Sequence, residues 1–338
     1  MMHGWARLTL IGCAGISVST SLLAQTDAGV TTLIGGPEAR SAVLERPRKI
    51  LVLSDRIIVV ERGEPFLQVF DLDGRLRQRA GRRGAGPGEF RLVAAVAVSA
   101  DGVGISAIDT PLGRLTRFVL RDTLEFRGSQ ALALQAEDAC FLGTRLFANT
   151  RTPEGIVHEL SGTGAELRAA RALGEAHAPH PLAGSPLYQN YLADGHLLCD
   201  TIENTVTLAS ALTGYVQVLP VDGGAQRTIV IEGFRALEFS AAGRSLTLSK
   251  PAGGFYDEVI DVRRRDGGVV LTVGRTDSEH SGAGDYASYR EIELTSRGPQ
   301  RVGLTTRWRF VGTAGGRAVC YKTDPEPVIG RASGPACP

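Results

Sequence analysis

From Arg48 towards the C-terminus the chain is cut into apolar runs of four to eight residues, rich in Val, Ile, Leu and Phe and separated by Asp-Gly, Gly-Gly and Ser-Asp turns. Runs this short bury themselves as β-strands, and no segment keeps a helical period long enough to build a helical layer. The feature therefore fixes the class as all-β. The 42 Gly and 16 Pro of the 338 residues agree with a turn-rich architecture and disfavour a helical bundle. With 43% hydrophobic residues and 37 Lys+Arg against 36 Asp+Glu, the chain is too apolar and too balanced to stay disordered. A net charge of +1 gives no electrostatic reason for nucleic acid or an anionic membrane as a partner.

The strands group in fours. The first group covers residues 48–55, 56–61, 66–70 and 75–80, and similar groups follow, the fourth opening at Tyr191-Leu192 and the fifth using 235–240 and 245–249. The third strands of successive groups end near Phe70, Phe118, Leu160, Leu219 and Arg263, at intervals of 48, 42, 59 and 44 residues. Such spacing belongs to a propeller blade of ~40–50 residues, with one insertion near 176–189. One four-stranded sheet cannot bury both its faces, but a ring of sheets packs each face against a neighbour. The expected fold is a six-bladed β-propeller of four-stranded antiparallel blades. Its blades lie at about 48–90, 91–133, 137–175, 188–233, 234–275 and 290–330, the last closed by 31–34.

Residues 1–24 read as a secretory signal. Arg7 is their single charge, residues 8–24 are uncharged and end in Ala24, and the polar Gln25, Thr26 and Asp27 follow. Cleavage there leaves 25–338 as a single domain with no membrane span, expected to be a monomer in the periplasm or outside the cell. Leu10-Ile11-Gly12-Cys13 offers an alternative, a lipoprotein anchored through Cys13, but it would leave a very short apolar core. Removing the signal takes Cys13 from the five cysteines and leaves four. An even number in an exported chain points to two disulfides. Three pairings are possible; Cys140 with Cys199 and Cys320 with Cys337 is the one favoured here, the second tying down a Gly- and Pro-rich tail. Buried free thiols are the alternative.

The most distinctive local motif is Phe70-Asp71-Leu72-Asp73-Gly74, followed by Gly81-Arg82-Arg83-Gly84-Ala85-Gly86-Pro87-Gly88-Glu89-Phe90. It resembles the blade-to-blade signature of NHL-type repeats, in particular that of exported bacterial six-bladed β-propeller proteins. The likeness extends over most of residues 45–275, including Cys140, Cys199 and Tyr256-Asp257-Glu258, and fades beyond. It implies a fold and is silent on activity, because propellers host unrelated functions.

Candidate chemistry is sparse. The Gly81–Gly88 loop lacks the Lys-Ser/Thr ending of a phosphate loop and leads into a strand, so it reads as a structural connection. Arg82, Arg83 and Glu89 are the candidate ligand-binding residues, suited as rim groups to an acidic ligand. His177 and His180 have a spacing that could serve a metal, but their Pro-rich loop gives no scaffold, and no metal site is assigned. Asp71-Leu72-Asp73-Gly74 starts like a calcium loop, lacks its distal Glu and reads as a β-turn. Arg263-Arg264-Arg265 reads as a solvated turn flank, and Trp308 and Phe310 as blade-packing residues. No inner-strand set of His or Glu stands out, no Gly-x-Ser-x-Gly elbow is present, and no cofactor is predicted. The function expected is a binding or scaffold module for a protein, peptide or glycan. The alternative is a metal-assisted lyase or hydrolase working in the central channel.

Overall fold

The computed structural model describes residues 29–36, 44–45, 47–150, 152, 155–162, 165–174, 178–242, 245–265, 268–276, 286–295, 300–303, 305–323 and 326–338. The signal segment 1–24, Cys13, His177 and His280 lie outside them.

Six four-stranded antiparallel blades follow one another along the chain, and the outer strands of blades 2 and 3 are also joined by a short parallel pairing of Glu166 with Ala131 and Leu167 with Leu132. Blade 1 is Pro47–Val52, Arg56–Glu61, Leu67–Asp71 and Leu76–Ala80, and blade 2 is Ala95–Val98, Gly104–Asp109, Arg114–Leu120 and Leu124–Leu132. Blade 3 is Ala136–Leu142, Arg145–Thr150, Val157–Ser161 and Glu166–Leu173, and blade 4 is Gly195–Asp200, Thr205–Ser210, Tyr215–Pro220 and Arg227–Val230. Blade 5 is Asp257–Arg265, Gly268–Arg275, Ser288–Leu294 and Arg301–Val302. Blade 6 takes Arg309–Ala314, Arg317–Lys322 and Val328–Ala332 from the C-terminal region and Val30–Gly35 from the N-terminal one, with Val30 opposite Ala332 and Gly35 opposite Val328. The protein is thus a closed all-β six-bladed propeller, and its two chain ends are joined by ladder hydrogen bonds.

The closure has a simple physical cause, visible in the second strand of blade 1. Ile58 and Val60 pack into a core shared with blade 2, while Ile57 and Val59 pack into one shared with blade 6. Successive side chains of a strand point to opposite faces, so a blade buried on both sides needs an unbroken apolar run. The same division recurs in blade 4, where Val206 and Leu208 face blade 3 and Ala209 faces blade 5.

The fifth blade corrects the expected grouping. Glu238–Ala242 and Ser245–Ser249 form a separate two-stranded hairpin instead of opening the blade, which starts at Asp257 and continues through Ser288–Leu294 to Arg301–Val302. The reason is the burial pattern: Ser245–Ser249 alternates exposed and half-buried positions, so only one face is covered, whereas Val270 to Val273 is buried on both. Tyr191 and Leu192 likewise belong to the helix Pro186–Ala193, not to a strand, and blade 4 begins at Gly195. Helix and hairpin pack together through Tyr188, Leu192, Phe239 and Leu246, an added structure at the end of blade 4. Among the described residues no helix is long and apolar enough to cross a membrane.

The favoured cysteine pairing is present. Cys140 bonds Cys199 and Cys320 bonds Cys337, with Cα separations of 5.7 and 5.8 Å. The first bridge joins the innermost strands of blades 3 and 4; the second holds the C-terminal tail against blade 6. Such bonds persist in an oxidising, extracytoplasmic compartment.

Candidate functional site

The innermost strands of all six blades surround a cavity of about 200 Å³ in the mouth of the central channel. Blade 1 supplies Arg48 and Lys49, blade 3 Glu137 and Asp138, blade 4 His196, blade 5 Glu258 and Asp261, and blade 6 Arg309. Blade 2 contributes only the apolar Ala94 and Val96 region, and Ile50, Val96, Ile260 and Val311 line the cavity further along the inner strands. Most of these titratable groups sit within the first three places of the inner strands, with Asp261 further along beside Ile260.

The charges facing the axis are mostly paired across blades. Lys49 Nζ lies 2.7 Å from Asp138 Oδ1, and Arg48 Nη2 lies 3.4 Å from Glu137 Oε2. The Leu197 amide donates to Asp138 Oδ2 at 3.0 Å, and His196 Nδ1 lies 3.9 Å from the same oxygen, too far for a hydrogen bond. Burial works to raise the Asp138 carboxyl, but Lys49, His196 and the Leu197 amide together hold it below the usual carboxylate range. Burial lowers His196, so its imidazole is neutral at pH 7. Behind this group Asn149, fully buried, accepts the Asp138 amide at 2.5 Å and donates to the carbonyls of Ala193 and Gly195 at 2.9 and 3.0 Å. It thereby locks the entry of two inner strands to one another. The Cys140–Cys199 bridge staples the same two strands just beyond.

On the opposite side, burial raises the Glu258 carboxyl, which shares a hydrogen bond with Tyr286. The Tyr286 phenol is in turn pushed well above its ordinary value by burial and by that carboxylate.

Arg82, Arg83 and Glu89 do not line this cavity. Arg82 Nε donates to Glu89 Oε1 at 2.7 Å, and Glu89 Oε2 accepts the Gly86 amide at 2.7 Å, so the two side chains organise their own loop. The Gly86 amide, followed by Arg82, holds the Glu89 carboxyl below its usual range. Arg114 reaches from blade 2 to the carbonyls of Ala85, Gly86 and Glu89 and clamps the loop onto the next blade. Gly81 is needed at its start: its φ is +76°, and a Cβ there would stand 2.8 Å from the Phe90 ring. Arg83 keeps an exposed side chain, and its amide donates to Glu64.

Other motifs also find structural roles. Asp71 Oδ1 accepts the amides of Asp73 and Arg75 at 3.0 and 2.9 Å, closing its turn. His180 stacks on Tyr188 at 4.4 Å beside Phe239. Arg263-Arg264-Arg265 is not solvated as expected. Arg263 and Arg265 both bind Glu291, Arg264 binds Asp200 of blade 4, and the Arg263 guanidinium lies 4.5 Å over Phe310. Strand pairing at the end of blade 5 turns the three guanidiniums towards neighbouring carboxylates. Among the described residues no three His, Cys, Asp or Glu side chains are gathered in a metal-binding arrangement.

The cavity residues Lys49, Asp138, His196, Glu258 and Arg309 were not singled out from the sequence. Their common signal is positional, a titratable residue within the first three places of an inner strand, and it becomes readable only once the inner strand of each blade is known.

Comparison with known proteins agrees with the architecture. A family model described as "6-bladed beta-propeller" matches residues 39–148. A protein described as exported, from Bacteroides fragilis, superposes with a TM-score of 0.54 at 10% identity, over 89% of this chain and 94% of that one. A member of the DUF4221 family from Bacteroides vulgatus gives a TM-score of 0.56 at 7% identity, over 90% and 98%. The WD40 repeats of RRP9 give 0.54 at 11% identity, over 90% and 97%. Identities this low carry the fold alone. No curated protein matches the chain.

Proposed function

We propose that this six-bladed β-propeller is an exported binding module, periplasmic or secreted, that holds a small polar ligand or the end of a peptide in the mouth of its central channel. The observation behind the reading is the cavity itself. Five of six inner strands place titratable side chains around one space, while the Lys49–Asp138 and Arg48–Glu137 pairs across blades fix its shape before any ligand arrives. The reading needs no cofactor. Arg82, Arg83 and Glu89 remain at most a secondary rim, since two of the three are occupied with one another.

Thermal unfolding of the mature protein against defined pools of amino acids, short peptides and oligosaccharides tests this. A binder at about a hundred times its Kd stabilises by ~2.7 kcal/mol and raises Tm. The doubly neutral variant Arg48→Gln/Glu137→Gln should abolish that rise. If no pool stabilises the protein, or if variant and wild type respond alike, the reading fails.

A second reading, lyase or hydrolase chemistry, is favoured by His196, a neutral imidazole beside the Asp138–Lys49 pair. Turnover of any pool component, lost in His196→Ala, would establish it. Stoichiometric metal in the purified active protein would give it the metal-assisted form.

A further inference from the structure

We infer that the side of the cavity formed by blades 1 and 6 is a carboxylate subsite, with Arg309 and Arg62 as the receiving groups beside Tyr321. The inference rests on the cavity being a binding site and names the chemistry of what it takes.

The argument starts from charge that is left over. Around the cavity Glu137 is matched by Arg48, Asp138 by Lys49, Asp261 by Arg263 at 3.4 Å and Glu258 by the Tyr286 hydroxyl, and Asp194 is also engaged. Arg62 and Arg309 border the same cavity, and neither meets a carboxylate among the described residues. Arg309 is the more telling of the two. It is 8% exposed, its Nε is buried without an acceptor, and its guanidinium lies 4.7 Å from the centroid of the Tyr321 ring directly opposite in the strand register. The Nε atoms of Arg114, Arg263, Arg290 and Arg331 are also buried without an acceptor, but each of those guanidiniums donates through its other nitrogens; among the described residues Arg309 meets only the ring, which holds its planar fork in one orientation. Arg62 stands exposed at the end of the second strand of blade 1, and its charge acts on Tyr321 and Glu258, as that of Arg309 acts on Tyr321 and Tyr286. The two guanidiniums therefore address one region.

A carboxylate suits this region better than a phosphate. It is planar, matching the guanidinium fork, and it carries a single charge. Five acidic side chains share the cavity, and a dianion would meet more repulsion from them than a monoanion. The carboxylate of a small organic acid and the C-terminal carboxylate of a peptide offer the same chemistry.

Calorimetric titration of the disulfide-intact mature protein tests the assignment with N-acetyl dialanine, its C-terminal amide, propionate and inorganic phosphate as probes. Saturable binding of the free-acid peptide is expected, at least tenfold weaker for the amide, and at least tenfold weaker to Arg309→Gln. Arg62→Gln, at an exposed position that leaves the fold intact, should weaken the acid and leave the amide unchanged. Propionate binding as tightly as the peptide would place the source among small acids; much weaker propionate binding would place it among peptide ends, and both outcomes uphold the subsite. Equal binding of acid and amide would leave the cavity as a binding site and overturn the carboxylate assignment. Phosphate binding more tightly than the acid would overturn it too, as would the absence of binding by any probe, while the pool experiment above decides the broader reading separately.

Discussion

Between blades 1 and 2, Phe66, Phe90 and Phe118 form a row with ring centroids 6.0 and 6.2 Å apart, inside a core that also holds Ile58, Val60 and Leu67. Between blades 5 and 6 the contact crosses through Arg263, held by Glu291 of its own blade, over Phe310 and through the backbone pairing of Tyr289 with Thr306, beside a small blade 5 cluster of Ile260, Tyr286 and Tyr289 and a crevice of about 330 Å³ that also touches the C-terminal tail. The ring must close at both seams, but apolar burial at ~25 cal/mol per Å² works at full strength only in the first. Ion pairs and cation–π contacts at partly exposed positions contribute far less. Closure at blade 6 accordingly leans on other devices: the N-terminal strand paired with Val328–Ala332, the apolar core shared by blades 6 and 1, and the Cys320–Cys337 bond.

The contrast can be broken most directly by truncation. Phe90→Ala, at a fully buried ring, should lower the unfolding free energy by ~3–5 kcal/mol in urea denaturation, and Phe310→Ala, half-buried under Arg263, by only about 1 kcal/mol. Equal losses would erase the difference between the seams. Next in size is the Cys140–Cys199 bond, which closes 59 residues across blades 3 and 4; replacing both by Ser should cost about 3 kcal/mol of global stability. Cys320→Ser/Cys337→Ser closes only 17, and its effect should appear in hydrogen exchange as lost protection in blade 6 and the tail, with blades 1 and 2 unchanged. Uniform deprotection of the ring would show instead that the last blade is integral to the core.

The smallest effect sharpens the comparison through pH. Glu258 and Tyr286 sit where the fifth blade meets the cavity, and burial raises the Glu258 carboxyl above its ordinary 4.5. Below pH 4.5 the folded and unfolded states both hold the proton; above it the unfolded state releases the proton first, and stability falls as pH rises through the folded value. Glu258→Gln should thus raise Tm at pH 8 and have no such benefit at pH 4. A gain of the same size at both pH values would show that burial of the charge is not what costs stability there.

Much of this architecture was legible because blade strands are buried on both faces. Ile57 to Val60 reads as an unbroken apolar run, and Asp71 to Gly74 marks the turn after the next strand. Gly74 has a φ of +80° with its α-carbon against the backbone of Leu33, so even the approach of the N-terminal strand leaves a trace in blade 1. Legibility failed where a strand is buried on one face only, as in the Ser245–Ser249 hairpin, or where a segment of strand-like composition becomes helix, as at Tyr191 and Leu192. The candidate site was less readable still. Arg82 and Glu89 stand out as a motif and satisfy each other, whereas Lys49 and Asp138, 89 residues apart, meet at 2.7 Å without any local signature.

By itself the sequence determined the all-β class, the six-fold repetition and the cysteine framework, because each follows from short-range physics: period-2 burial, turn chemistry and an even number of thiols. Which charges face the axis, which of them are neutralised by a neighbouring blade and which guanidinium is left without an acceptor were decided only by closing the ring. Those contacts join residues from different blades, and no local propensity encodes them.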